Sequence, residues 1–117
     1  MTDTIKRGKE GEDLAASFLE QKGFRVLERN YRYKRSEIDL IVARGNWLVF
    51  VEVKARSSSA FGYPEEFVDY NKKKMIFIGA DHYMNEKNWQ GNVRYDIVAI
   101  SLGYGNPEIH HVEDAFY

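Results

Sequence analysis

The chain contains no cysteine, which excludes disulfides, thiolate zinc sites and cysteine nucleophiles and suits a reducing cytoplasm. No stretch approaches the roughly 18 apolar residues that a membrane span requires, so no membrane is expected as a partner. The opening MTDTIKRGKEGED is polar and carries acids, unlike a signal or transit peptide. There is no repeat, no low-complexity run and no linker. A glycine-rich phosphate loop with its lysine is missing too, as is any Ser-His-Asp order. No small-molecule cofactor is therefore expected.

At 117 residues, one domain spanning 1–117 is the expectation, with no room for a second core. The net charge is −1, yet it is unevenly spread. Residues 1–56 hold 12 Lys/Arg against 9 Asp/Glu, while residues 57–117 hold 5 against 9. Lys22, Arg25, Arg29, Arg32, Lys34 and Arg35 crowd one segment, opposed only by Glu28 and interleaved with Tyr31 and Tyr33. Such a patch can contact phosphates; taken alone, it reads more simply as a solvated, arginine-rich sheet edge.

Residues 3–22 read as a helix, with Ile5, Gly8, Glu12, Ala15 and Leu19 forming one stripe and Leu14 and Phe18 beside it. Gly23 is a natural stop. Strands are expected at 24–30, 37–44, 47–54, 93–100 and 109–112. SSSAFGYP (57–64) reads as a mobile loop. A second helix is expected from Pro64 to about Asn85, with Phe67, Met75, Ile78, Ala80 and Tyr83 as its apolar residues. The order is α-β-β-β-α-β-β, an α/β (α+β) domain with a mixed sheet flanked by helices.

The hairpin SEIDLIVARGNWLVFVEVKAR (36–56) carries charges in its most apolar ribbon. If Gly45 and Asn46 form a two-residue turn, with Gly45 at positive φ, Arg44 faces Trp47, Asp39 faces Glu52 and Glu37 faces Lys54. Opposed side chains share a face with Cβ atoms roughly 4.5–5.5 Å apart. Two carboxylates and an ammonium then meet within about 7 Å. Opposed like charges need compensation, from Lys54 or from a divalent cation held by both carboxylates. An exposed face carrying a salt bridge is the plainer alternative. Against it, Ile41, Ala43, Leu48 and Phe50 share that face and want a core.

Glu12 sits on the inward stripe of the first helix, where an acid is costly unless paired or coordinating; alternatively it belongs to an N-terminal turn and faces solvent. Gly8 and Gly11 each cost roughly 1 kcal/mol against Ala in a helix interior, which suggests that close approach of the backbone to the sheet or to a phosphate is their return. The three histidines read less well as a site, because His110 and His111 point to opposite strand faces and His82 stands alone. Trp47, Trp89 and most tyrosines read as packing groups.

GxxGE at 8–12, RN at 29–30, EIDLI at 37–41, FVEVKxR at 50–56, FGxP at 61–64 and RYDIV at 94–98 together resemble the YraN-like family, UPF0102, and through it the PD-(D/E)XK nuclease superfamily with its restriction-endonuclease-like fold, related to archaeal Holliday-junction resolvases. The ordered set is specific, although EVK alone is weak. Ile38 stands in place of the superfamily's nominal proline, and Ser36 where family members often carry glycine. The resemblance implies an endonuclease that hydrolyses phosphodiester bonds in DNA, branched or structured DNA included, with Mg²⁺ or Mn²⁺ as cofactor. Asp39, Glu52, Lys54 and Glu12 match the catalytic positions. The implied metal ligands are Asp39, Glu52, the Val53 carbonyl and Glu12. Arg29, Arg56 and Lys72 are the implied phosphate contacts, with Lys73 and Lys74 weaker ones. The weak positive charge implies help from a homodimer or a partner. It also keeps open a second reading, a nucleic-acid-binding or protein-interaction domain with little activity.

Overall fold

The computed structural model describes residues 3–56, 69–102 and 105–117, with side chains from Gly8 onward. The element order is α1 (Asp3–Gln21), β1 (Arg25–Tyr33), β2 (Ser36–Arg44), β3 (Trp47–Arg56), α2 (Tyr70–Lys87), β4 (Asn92–Ser101) and β5 (Glu108–Val112). This is the α-β-β-β-α-β-β order that the sequence pattern predicts. The five strands form one sheet in the order β1-β2-β3-β4-β5. It is mixed: β3 and β4 run parallel and every other neighbouring pair is antiparallel. The parallel step requires a crossover, and α2 lies within it.

Helix α1 ends where expected. Gly23 has φ 94°, and the amides of Gly23 and Phe24 return to the Glu20 and Leu19 carbonyls, each at 3.0 Å. Helix α2 starts at Tyr70, capped by Asp69, whose carboxylate accepts from Lys72 N–H at 2.8 Å. The expected start at Pro64, Phe67 and the loop at 57–64 lie outside the described residues. On α2, Ile76, Gly79, Ala80 and Tyr83 are the buried residues. Ile78, expected on that face, is 39 % exposed, because the buried stripe follows 76, 80 and 83 rather than 75 and 78.

The sheet separates two apolar layers. Ala15 and Leu19 of α1 pack on Leu40, Val42, Val49 and Val51. Ile76, Ala80 and Tyr83 of α2 pack on Ile41, Ala43, Leu48 and Phe50, the face that the hairpin pattern assigned to a core. Helix α1 sits close to the sheet at Gly11, where an added Cβ would lie 2.5 Å from Ala55 Cβ. Gly8 does not share that role, since nothing lies within 4 Å of a Cβ there. Ser36 Oγ, buried against Gly79, has no hydrogen-bond partner.

The Gly45–Asn46 turn has the expected form. Gly45 has φ 58°, and β2 pairs with β3 from Arg44↔Trp47 to Leu40↔Val51. There the ladder stops. Beyond it the alternation along β2 also breaks: Leu40 and Val42 face α1, Ile41 and Ala43 face α2, yet Ile38 joins the α2 layer rather than Leu40's. Strand β1, whose register shift lies earlier, between Val26 and Glu28, also misses a pair at this level. Its pairs run Arg29↔Leu40 and then Tyr31↔Ile38, leaving Asn30 and Asp39 abreast but unpaired, and Asn30 has φ 54°.

Candidate functional site

Asp39 lies where β2 leaves the β3 ladder, so its carboxylate takes up a backbone bond there: Val53 N–H donates to Asp39 Oδ2 at 2.8 Å. The carboxyls of Asp39 and Glu52 lie close enough to interact with each other. Glu52 is 4 % exposed, at the end of the β3 face that carries Phe50 and Leu48 into the α2 layer. Two ammonium groups flank it. Lys54 Nζ is 3.7 Å and Lys72 Nζ 3.6 Å from Glu52 Oε2. The expected ladder pair of Asp39 with Glu52 does not form, since β2 pairs with β3 only as far as Leu40↔Val51; the two side chains meet beyond the ladder, period two adds Lys54, and the first turn of α2 adds Lys72.

Burial raises the pKa of Asp39 to about 7, with the hydrogen bond and charge of Glu52 adding to the effect. The Val53 amide and the Lys72 charge pull it back only in part. At neutral pH the Asp39 carboxyl therefore holds a proton about half the time, and in that form it donates to Glu52. Two carboxylates side by side and mostly shielded from water have two ways to relieve their repulsion, a shared proton or a cation.

The expected pairing of Glu37 with Lys54 does not form. Glu37 pairs across β1 with Arg32, at 3.3 Å, because β2 has left β3 before that level. Glu12 is held apart as well: its Oε1 accepts from Arg29 Nε and Asn30 Nδ2, both at 3.1 Å. Arg29 also pairs with Asp13, which holds its guanidinium high and Asp13's carboxyl low. Arg29 is therefore bound within the protein. Arg56 is exposed at the end of β3. Among the described residues no group of three or more Asp, Glu or His side chains converges; the pocket offers two carboxylates.

A second buried acid, Asp96 on β4, carried no role in the sequence reading. It is fully buried and accepts from Arg94 Nε and Nη2 and from Asp114 N–H, each at 2.9 Å. His111 Nε2 lies 2.7 Å away, and His111 Nδ1 lies 2.7 Å from Lys22 Nζ. The lysine can only donate, so Nδ1 accepts and Nε2–H donates to Asp96. Burial raises the Asp96 pKa, but the bonds from His111, Arg94 and the Asp114 amide outweigh that and hold it below the usual carboxylate range. Every Asp96 oxygen is satisfied, which marks a brace between β4 and β5. The one sequence signal for it was an acid inside the apolar run YDIVAI.

A family model described as "Uncharacterised protein family UPF0102" matches residues 11–100. A UPF0102 protein of Rhodococcus opacus is 44% identical over 119 residues, covering 99% of this chain and 100% of the relative. One from Christiangramia forsetii is 39% identical over 117 residues, covering 100% and 98%. One from Persephonella marina is 40% identical over 111 residues, covering 94% and 92%. No helix among the described residues is long and apolar enough to cross a membrane.

Proposed function

The chain belongs to the UPF0102 family, and from that footing we propose that it is a divalent-cation-dependent endonuclease that hydrolyses phosphodiester bonds in DNA, branched DNA included, on a restriction-endonuclease-like fold. The observation that carries this reading is the contact between the Asp39 and Glu52 carboxyls beside two lysines. A binding-only surface has no physical need for two opposed acids in a pocket, whereas phosphoryl transfer does.

The donor set fits a hard cation. Mg²⁺ and Mn²⁺ favour oxygen ligands, and Mg²⁺ is commonly held by one or two carboxylates with water and substrate phosphate completing its shell. Asp39 and Glu52 are the residues that would hold it. When bound, such a cation acidifies a water and offsets charge on the phosphoryl oxygens. The chain's own groups supply the rest. Lys54 orients the attacking water and stabilises negative charge in the transition state. Lys72, on a flexible stem and half-exposed, reaches from Glu52 to a phosphate oxygen once Glu52 has another partner. Exposed Arg56 at the end of the same strand meets the adjoining backbone phosphate.

The second reading, a domain that binds nucleic acid or protein without cutting it, draws on the net charge of −1 and on the internal pairing of Arg29. Incubation with branched, single-stranded and duplex DNA in Mg²⁺ or Mn²⁺ separates the two. Cleavage is expected, with Lys54→Ala lowering kcat by about 10²–10³-fold and Glu52→Ala abolishing it. No cleavage of any substrate, or cleavage that survives both substitutions, defeats the nuclease reading.

A further inference from the structure

Glu12, Arg29, Asn30 and Asp13 form a cluster between α1 and β1 that the chemistry above does not use. Glu12 Oε1 faces three N–H donors: Arg29 Nε and Asn30 Nδ2 donate at 3.1 Å, and Arg29 Nη2 lies 3.1 Å away. The last nitrogen also serves Asp13. That oxygen has little left to offer a cation, and no third acid converges with Asp39 and Glu52 among the described residues.

Asn30 is the informative member. It holds φ 54°, a left-handed conformation that non-glycine residues enter at a cost and Asn more readily than most. Its position in the ladder is level with Asp39, and at that level β1 and β2 both lose their alternation. Arg29 and Asn30 are consecutive, yet both side chains reach α1, whereas in a regular strand they would point to opposite faces. The amide of Asn30 is tied to Glu12, so the helix fixes the break in β1. The break in β1 leaves Asp39 without a ladder partner, and that freedom lets its carboxylate turn sideways to Val53 N–H and Glu52.

We propose that Glu12 is a positioning residue: through its bond to Asn30 it holds the β1 break that aims Asp39 at Val53 N–H and Glu52, and it is not a ligand of the cation. The functional consequence rests on Asp39 and Glu52 being the site proposed above, while the geometric claim stands without it.

The test reads Asp39 placement directly, as hydrogen exchange of the Val53 amide, with the Val42 and Val49 amides as internal references. Asn30→Gly keeps the backbone conformation but removes the donor to Glu12. In Asn30→Gly and in Glu12→Ala, Val53 exchange is expected to rise about tenfold relative to the references, the loss of one hydrogen bond's protection. In Glu12→Gln, whose amide oxygen still accepts from Asn30, it is expected to stay within about threefold of wild type. Val53 protection that follows Val42 and Val49 unchanged in Asn30→Gly overturns the proposal. Should Glu12→Ala not fold, the other two variants decide.

Calorimetric titration with Mn²⁺ adds the second arm. Glu12→Gln is expected to hold Mn²⁺ within about threefold of wild type, whereas a loss as deep as that of Asp39→Asn makes Glu12 a ligand and overturns the proposal. A wild-type protein that does not take up Mn²⁺, with the Val53 result as expected, counts against the cation reading and supports the positioning role.

Discussion

Burying Asp39 against Glu52 raises its pKa from 3.8 to about 7, so the folded chain keeps a proton that the unfolded chain has already lost. Between those values the unfolded state binds fewer protons than the native state, and stability therefore falls as pH rises through the window. Above about pH 7 the penalty is complete. Asp39→Asn removes it while keeping an oxygen for Val53 N–H. Thermal melts should place the variant several degrees above wild type at pH 8, a difference of about 1–2 kcal/mol, and close to it at about pH 4. A cation competes with the same proton, so Mn²⁺ affinity of the wild type should fall about tenfold per pH unit below about 7. Asp96 has the opposite sign. Its lowered pKa contributes stability that is present above the ordinary carboxylate range and lost as pH falls through the folded value. Both acids announce themselves in the sequence as charges inside apolar strands. Only the nearness of Asp39 to Glu52 was legible, because the two lie across a two-residue turn. The partners of Asp96 come from β5, the chain beyond it and Arg94 beside it, and no local spacing links His111 or Asp114 to it.

At the level of elements, the hairpin register was legible because one turn sets it, and Arg44↔Trp47 through Leu40↔Val51 follow by counting. The count fails at the very next pair, Asp39 with Glu52, and again at Glu37 with Lys54, because β2 leaves β3 beyond Leu40 and turns to β1 alone. The lysines at 72–74 show the same limit: helix phase decides that Lys72 meets Glu52, and the run itself is silent on which one does. The two glycines of α1 give a sharper case, because composition treats them alike and packing does not. Gly8→Ala gains helix propensity with open space around the new methyl, and should stabilise by about 0.5–1 kcal/mol in denaturant titration. Gly11→Ala gains the same propensity but drives its Cβ against Ala55, and should destabilise by about 1–3 kcal/mol. Ala55→Gly in the Gly11→Ala background removes the opposing methyl and should recover part of that loss. Equal effects at Gly8 and Gly11 would mean that α1 does not seat closely on β3.

Across the whole molecule, the topology gathers one end of the sheet into a basic rim. The β1–β2 connection at Lys34 and Arg35 and the end of β3 at Arg56 fall at the same end of the sheet, and the start of α2 reaches it where Lys72 meets Glu52. At the opposite end, the Gly45–Asn46 turn meets the start of β4 through a bond from Asn92 N–H to the Asn46 carbonyl at 2.8 Å, and α2 finishes nearby with Lys87. A net charge of −1 hides this polarity. If the basic rim carries the DNA backbone, affinity must depend on which end is altered and on salt. Lys34→Glu with Arg35→Glu should weaken DNA binding and reduce the slope of log affinity against log salt by about 1 for each phosphate that the rim no longer neutralises. Lys87→Glu changes the molecule's net charge in the same sense, yet lies at the far end and should leave both quantities within error of wild type. Fluorescence anisotropy over a salt series, without divalent cation, measures them together. A loss per unit of charge changed that is as large at Lys87 as at Lys34 and Arg35 would make the attraction a property of net charge, and the rim would then lose its claim to be the path of the strand.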